Sequence, residues 1–155
     1  SSGEGSNSTR EDEDPMDSDI DPRLEHLVGV PYIWAGGSPA GYTAGLDCSG
    51  LVQVAAVALG LLSSSAADRT AQQLADQLEP VTGPVRAGDV ACYGSSWSSV
   101  SHVTVAAADS DDGSAPVLSA SGGGKSTTTP TDGAEVKLFS SEEYRGDFLG
   151  WVRWP

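Results

Sequence analysis

The sequence predicts an α+β fold, with N-terminal helices packed on an antiparallel sheet of about five strands. The helix-like patterns lie in the first half of the chain, and the strand-like segments lie in the second half. Helices followed by a run of strands are typical of α+β proteins rather than of repeated βαβ units. At 155 residues and 38% apolar content, the chain fits a single domain with a core of its own.

The longest helix is predicted for residues 48–60, CSGLVQVAAVALG. Leu51, Val54 and Ala58 recur at helical spacing there, and Gly60 is a natural C-terminal break. The helix is therefore expected to bury one apolar face against the sheet.

Shorter helices are predicted before and after it. Residues 22–28 can form a short helix that ends at Gly29, and residues 70–78 open on a capping-box pattern made by Thr70 and Gln73. Glycine and proline then separate the strand-like segments, which are DVACY, VSHVTVAAA, APVLSAS, AEVKLFS and FLGWVRW. The predicted core consists of Leu51, Val54, Ala58, Leu74, Val90, Val103, Val105, Leu118, Val136, Leu138 and Val152.

Charge and composition restrict the classes of partner that this protein is expected to bind. Residues 1–22 are acidic and low in complexity, so we interpret them as a tail or linker before a folded domain at residues 23–155. The alternative is an interaction arm, or a pseudo-substrate strand that lies along the domain. The net charge of −14 should repel nucleic acid and anionic lipid, and no apolar run is long enough to predict a membrane span. Since the chain begins with neither Met nor a signal peptide, we expect that an address segment has been lost.

The stretch LDCSGLV holds the candidate nucleophile. Asp47 is expected to cap the helix, which places Cys48 in the first turn, where the helix dipole and unpaired N–H groups favour a thiolate. Gly50 would leave room for a substrate backbone. Cys92, in the strand-like GDVACYG, is interpreted as a buried structural thiol, and pairing between the two cysteines is not expected.

A catalytic thiol needs a histidine, and the chain has two. His102 lies in the alternating segment VSHVTVA, on the face opposite Val103 and Val105, where it could reach a helix start. Spacing alone leaves open a purely structural histidine. His26 is interpreted as a surface residue. No cofactor or metal is expected, since no cluster of His, Cys or Asp has metal-ligand spacing and no phosphate loop appears.

A longer stretch resembles a known family. The segment VGVPYIWAGGSPAGYTAGLDCSGLVQVAAVALG is similar to the N-terminal signature of the NlpC/P60 family of papain-like cysteine peptidases. The segments DRTAQQ, RAGDVACY, SHVTVAA and DFLGWVRWP resemble later parts of the family pattern, so the resemblance covers about Leu24 to Pro155. It implies a papain-like fold and a cysteine peptidase.

The resemblance also implies roles for individual residues. Cys48 would be the nucleophile, His102 the general base, and the Tyr32 hydroxyl a support for the oxyanion together with the Cys48 backbone N–H. Asp47 and Ser49 stand where family members hold the free amine of a stem peptide. Helix capping by Asp47 is compatible with that role.

Two tryptophans are candidates for the rim of a substrate cleft. Trp34 and Trp97 both lie in loop-like segments, and Trp34 is the candidate binding residue. The alternative is that both rings merely cover core edges.

Three positions depart from the family pattern. Ala35 replaces a usual glycine, and residues 104–106 replace the usual Gly-hydrophobic-Tyr. Where the family orients its histidine with His, Asn or Gln, this chain has Ser119, the candidate third catalytic residue. Alternatively, Ser119 acts on the histidine through a water molecule, or its presence at this position indicates that the domain has lost activity. Ser121 and Asp109 are the other candidates for that role.

The function predicted from the resemblance is hydrolysis of peptidoglycan stem peptides. The expected bond joins γ-D-glutamate to a diamino acid, and the expected route is a Cys/His thioester mechanism. The alternatives are an amidase or transacylase on the same scaffold, or a binding or structural domain that has lost turnover. Such a substrate implies an extracellular, cell-wall or phage-virion location, and the acidic tail could join the domain to a larger wall-degrading assembly.

Overall fold

The computed structural model describes residues 20–124 and 126–155, so most of the predicted acidic tail lies outside the described residues. Within these residues, two α-helices precede the sheet, one 3-10 helix lies before both of them, and another lies between the last two strands. In chain order the elements are a 3-10 helix (Pro22–Leu27), α1 (Cys48–Ala58), α2 (Ala71–Gln77), β1 (Glu79–Pro80), β2 (Val90–Ser96), β3 (Ser99–Ala106), β4 (Val117–Ser121), β5 (Glu135–Phe139), a second 3-10 helix (Glu142–Tyr144) and β6 (Phe148–Arg153).

The strands form one antiparallel sheet in the order β1-β6-β2-β3-β4-β5. The five predicted strands are confirmed as β2 to β6, and the α+β class is confirmed with them. The sixth strand, β1, is a two-residue edge strand that pairs with β6 and contains Pro80. A proline and a length of two residues give no alternating pattern, so the sequence could not predict this strand.

Local capping signals place both α-helices where the sequence predicts them. The Asp47 carboxylate accepts the Gly50 N–H at 2.8 Å, so α1 begins at Cys48. In α2 the capping box is complete, because the Gln73 N–H donates to the Thr70 hydroxyl and the Thr70 N–H donates to the Gln73 side chain. The short helix predicted at residues 22–28 is a 3-10 helix.

The main core lies between the helices and one face of the sheet. Of the predicted core residues, eight are buried, whereas Val54, Ala58 and Leu138 are partly buried at its edge. Ile20, from the predicted tail, also packs in this core. The sequence did not predict a second, smaller cluster on the opposite face, which includes Ala91, Tyr93, Ala106, Val117 and Trp151.

The backbone pairing between β3 and β4 is short. It covers Val105 with Leu118 and Ala106 with Val117. His102, further back along β3, therefore meets Ser119 of β4 through its side chain, at 3.0 Å. The β3–β4 pairing therefore ends before the level of the candidate site.

The first turn of α1 packs tightly on the loop that precedes it. A Cβ at Gly50 would come within 2.2 Å of the Gly36 carbonyl oxygen, and the Asp47 N–H donates to that same oxygen at 3.0 Å. Gly50 is buried. The space that the sequence assigned to a substrate backbone is thus occupied by the protein's own loop, which fixes the position of Cys48.

Replacing Ala35 by glycine should stabilise the protein. Ala35 has a φ of 59°, in the left-handed region that disfavours a Cβ by about 1–2 kcal/mol. After the greater chain entropy of an unfolded glycine is subtracted, Ala35→Gly should raise the free energy of unfolding by about 1 kcal/mol. Urea denaturation gives this value from the midpoint at an unchanged slope.

The matched control is the reverse change at Gly29, where φ is 89° and no atom lies within 4 Å of the position that a Cβ would take. Gly29→Ala should lower stability by about 1 kcal/mol through backbone conformation alone. A loss of stability in Ala35→Gly would contradict the strain at Ala35.

Candidate active site

Four of the predicted site residues line one open cavity of about 330 Å³: Cys48, His102, Tyr32 and Trp34. Cys48 comes from the start of α1, His102 from β3, and the two aromatic residues from the loop before α1. The wall is completed by Ser101, Ala120, Ser121, Gly122, Gly123, Tyr144 and Arg145. The fold thus brings the thiol and the imidazole to a common space. Their catalytic roles stay predictions.

One nitrogen of His102 is held by two hydroxyl groups. The Nε2 atom lies 3.0 Å from Ser119 Oγ and 3.2 Å from the Tyr144 hydroxyl. Ser119 is fully buried, and its oxygen also lies 2.8 Å from Ser121 Oγ and 2.9 Å from the Tyr144 hydroxyl. Since Nε2 is engaged in this cluster, Nδ1 is the ring nitrogen left for the thiol.

The alternatives for the third residue differ in position. Ser121 is in the cluster, one hydrogen bond further from the imidazole than Ser119. Asp109 is exposed, and its carboxylate accepts the Ala87 N–H at 2.9 Å. A serine therefore stands at the predicted position beside His102, and whether it acts in catalysis stays a prediction.

Sequence reasoning missed Tyr144 altogether. It ends the second 3-10 helix, and its ring stacks on Phe139 with centroids 4.1 Å apart and planes 13° apart. A three-residue helix leaves no periodic signal, and nothing local in the sequence links Tyr144 to His102, which lies 42 positions earlier. This contact exists only through tertiary packing.

The imidazole of His102 is neutral at ordinary pH. Burial, and secondarily the nearby Arg145 guanidinium, lower the pKa of His102 from 6.5 to about 4, with Asp147 acting in the opposite direction. Arg145 and Asp147 form an ion pair with Nη2 and Oδ2 2.9 Å apart, which limits their net effect. An unprotonated imidazole is the form that can accept a proton from a thiol.

Burial also decides the state of Cys48. Desolvation raises the pKa of the Cys48 thiol, although the residue is only partly buried and lines the open cavity, and hydrogen bonds from the N–H groups of Val103, Ser49 and Cys48 itself act in the opposite direction. The Asp47 carboxylate raises this pKa further. The expectation of a resting thiolate is therefore wrong: the helix start does favour the anion, but burial outweighs it.

Tyr32 is held in its protonated form beside the thiol. Burial, with smaller contributions from Cys48 and Asp47, raises the pKa of Tyr32 to about 12. Its ring packs against Gly123, where a Cβ would come within 2.2 Å of the ring. A buried phenol that keeps its proton can act as a hydrogen-bond donor in the cavity.

Asp47 and Ser49 are not among the residues that line this cavity. The Asp47 Oδ1 atom accepts the Gly50 N–H and lies 3.4 Å from Ser49 Oγ, so the carboxylate serves as the helix cap. Burial raises the pKa of Asp47, and Asp68 adds to the effect. Asp68 lines a neighbouring cavity of about 430 Å³.

Trp34 lines both cavities, so the two cavities meet at this residue. Trp97 is exposed on the turn between β2 and β3 and is not among the residues that line either cavity. His26, as predicted, is exposed on the first 3-10 helix. Cys92 is fully buried, and both cysteines are free.

Within residues 20–124 and 126–155, no three His, Cys, Asp or Glu side chains form a group that could hold a metal ion. The same part of the chain contains no helix long and apolar enough to cross a membrane.

Comparison with known proteins identifies the family. The model of the NlpC/P60 family matches residues 29–148, a span that includes both Cys48 and His102. The chain belongs to the NlpC/P60 family. A comparison with curated proteins gave no significant match.

Solved NlpC/P60 domains show the same fold. The P60 domain of antigen MAP1204 from M. avium subspecies paratuberculosis is 22% identical, with a TM-score of 0.53 over 84% of this chain and 87% of that one. The NlpC/p60 domain of the peptidoglycan hydrolase SagA is 24% identical, with a TM-score of 0.52 over 88% of this chain and 97% of that one. The papain-like α+β fold predicted from the sequence is confirmed.

Acid should destabilise this NlpC/P60 domain through His102. Its pKa is about 4 in the folded protein and near 6.5 in the unfolded chain, so between these values the unfolded chain binds more protons. The stabilisation from the neutral, buried imidazole is complete above pH 6.5 and is lost as the pH falls to 4. The slope should approach about 1.4 kcal/mol per pH unit.

Urea denaturation of wild type and His102→Gln between pH 7 and pH 4 measures this contribution as a difference, because the carboxylates titrate in both proteins. The matched control is His26→Gln, which removes an exposed histidine and should keep the wild-type slope. Equal slopes in wild type and His102→Gln would contradict the depressed pKa.

Proposed function

We propose that this domain is a cysteine peptidase that hydrolyses peptidoglycan stem peptides, with the bond between γ-D-glutamate and a diamino acid as its substrate. The observation that carries the proposal is the shared cavity of Cys48 and His102, in which the second imidazole nitrogen is held by hydroxyl groups. Membership of the NlpC/P60 family supports it. The similar fold of SagA, itself a peptidoglycan hydrolase, agrees with it.

In the proposed reaction His102 Nδ1 takes the thiol proton as Cys48 Sγ attacks the scissile carbonyl carbon. The oxyanion that forms accepts hydrogen bonds from the Cys48 backbone N–H and the Tyr32 hydroxyl, where one such donor is worth about 3–4 kcal/mol. His102 returns the proton to the leaving amine, and a thioester remains on Cys48. Water, deprotonated by Nδ1, then hydrolyses the thioester and restores the thiol.

The electrostatics of the pair agree with this sequence of steps. A thiol of raised pKa and an imidazole of lowered pKa are both neutral at rest, so the proton moves as the carbon–sulfur bond forms. The protonated Tyr32 is ready as a donor.

Arg145 gives the cavity a place for an anionic group. Among the described residues that line the cavity it is the one charged side chain, and its ion pair with Asp147 leaves it about one-third exposed. A γ-linked glutamyl residue carries a free α-carboxylate next to the scissile bond, and a guanidinium suits such a group. From the family pattern we assign the amine of the stem peptide to Asp47 and Ser49, which lie beside the start of α1 and outside the lining of this cavity.

The substrate implies a working location at a bacterial cell wall, either outside the cell or in a phage particle. The acidic residues 1–19, outside the described part of the chain, would then serve as the tether to a larger wall-degrading assembly.

Purified diaminopimelate-type peptidoglycan should release new amines with the wild-type protein and none above background with Cys48→Ala. The physical reason is the loss of the sulfur atom that forms the thioester. Mass spectrometry of the products identifies the bond, and γ-D-glutamyl carboxyl termini are expected.

The matched control is Cys92→Ala, which removes a buried thiol outside the cavity and should keep the cleavage, with some loss of stability. Release that persists in Cys48→Ala would contradict the proposal. Cleavage elsewhere in the peptide, or transfer to an added amine, would favour an amidase or transacylase. If the wild-type protein releases no amines, the alternative of a binding or structural domain without turnover would be favoured.

Arg145→Gln should raise KM about tenfold for a stem peptide with a free glutamyl α-carboxylate, because one charge-assisted hydrogen bond is lost. The same variant should change KM less than twofold for the peptide amidated at that carboxyl group. Steady-state kinetics on the two peptides measures both values.

Arg86→Gln, an exposed residue outside the lining of the cavity, is the matched control and should behave as wild type on both peptides. Equal effects of Arg145→Gln on the two peptides would contradict carboxylate recognition.

A further inference from the structure

We infer that Tyr144 is a positioning residue for His102, which together with Ser119 replaces the single polar side chain that orients the histidine in this family. The inference rests on the proposed function for its catalytic meaning, but its geometry stands independently. The Tyr144 hydroxyl lies 3.2 Å from Nε2 of His102 and 2.9 Å from Ser119 Oγ. The three groups therefore form a closed triangle of hydrogen bonds.

The triangle accommodates the tautomer that the proposed reaction needs. For Nδ1 to accept a proton from Cys48, Nε2 must carry its hydrogen and donate it. Both neighbouring oxygens can accept it. In this arrangement Tyr144 donates its own proton to Ser119, and Ser119 donates to Ser121, 2.8 Å away, since either oxygen of each pair can be the donor. Both hydroxyl protons of the triangle then have an acceptor, and Ser119 has none left to donate to Nε2.

Tyr144 supplies rigidity that a serine lacks. A serine hydroxyl turns freely about one bond, whereas a phenol oxygen is fixed wherever its ring is fixed. The ring of Tyr144 stacks on Phe139 and meets Tyr93 edge-on at 5.8 Å. The orientation of His102 is therefore held by an aromatic cluster on the far side of the hydroxyl group.

The 3-10 helix that carries Tyr144 is itself anchored. Glu142 is buried, and its carboxylate accepts the Ala115 N–H at 2.9 Å and the Ser114 hydroxyl at 3.1 Å. The Glu142 carbonyl oxygen accepts the Tyr93 hydroxyl at 2.6 Å. These bonds tie the helix to the core, so the Tyr144 oxygen has a defined position before any substrate binds.

The test is Tyr144→Phe, which removes the hydroxyl and keeps the stacked ring. We expect kcat on the stem peptide to fall about tenfold with KM changed less than twofold, since one hydrogen bond to the base is lost. The ¹⁵N NMR signals of His102 should shift from the Nε2–H tautomer toward a mixture. Alkylation of Cys48 by iodoacetamide at neutral pH should slow.

Tyr93→Phe is the matched structural control. It also removes a buried hydroxyl bound to the same 3-10 helix, so it should lower thermal stability at least as much as Tyr144→Phe. It should shift the His102 tautomer much less than Tyr144→Phe does, because the Tyr144 hydroxyl beside Nε2 is kept. If both variants shift the tautomer equally, or if neither shifts it, Tyr144 has only a structural role and the inference is wrong.

The readouts separate this inference from the proposed function, because NMR and alkylation need no substrate. A wild-type protein that does not cleave peptidoglycan, but in which Tyr144→Phe alone shifts the tautomer and slows alkylation, overturns the proposed function and supports the inference. If the wild-type protein cleaves peptidoglycan, and Tyr144→Phe changes neither the cleavage nor the tautomer, the proposed function is supported and the inference about Tyr144 is overturned.

Discussion

The early separation of β3 from β4 is the constraint on which the candidate site depends. The strands pair at Val105 and Ala106, and beyond this pairing His102 and Ser119 meet through their side chains. Cys48, at the start of α1, lines the same cavity as His102, and the position of α1 is fixed by the close approach of Gly50 to Gly36. Cys48 and His102 reach one cavity because strand pairing ends early and helix packing is tight.

Hydroxyl groups, rather than a carboxamide or a carboxylate, hold the histidine in this domain. Ser119 and Tyr144 add no charge beside His102, so nothing in that cluster opposes the effect of burial on the imidazole. The rigidity comes instead from the stacking of Tyr144 on Phe139. Ring packing thus fixes the Tyr144 hydroxyl, and the hydrogen bond between that hydroxyl and Nε2 orients the His102 ring.

Features encoded by neighbours in the sequence were predictable, and those created by tertiary packing were not. Asp47 could be identified as a cap because capping joins residues three positions apart. Ser119 could be placed beside His102 because the family pattern aligns the two strands. Tyr144 could not, since its contact with His102 spans 42 positions without a periodic signal. The ionisation of Cys48 was predicted wrongly because burial, unlike a helix start, cannot be read from nearby residues.

The raised pKa of Cys48 has a consequence for the lifetime of the protein. Peroxides oxidise thiolates far faster than thiols, and oxidation beyond the sulfenic acid is irreversible for most proteins. Because its pKa is raised, Cys48 is present as the vulnerable thiolate for a smaller fraction of the time than an ordinary cysteine. The same burial that raises the pKa of the thiol therefore also protects the thiol against oxidation.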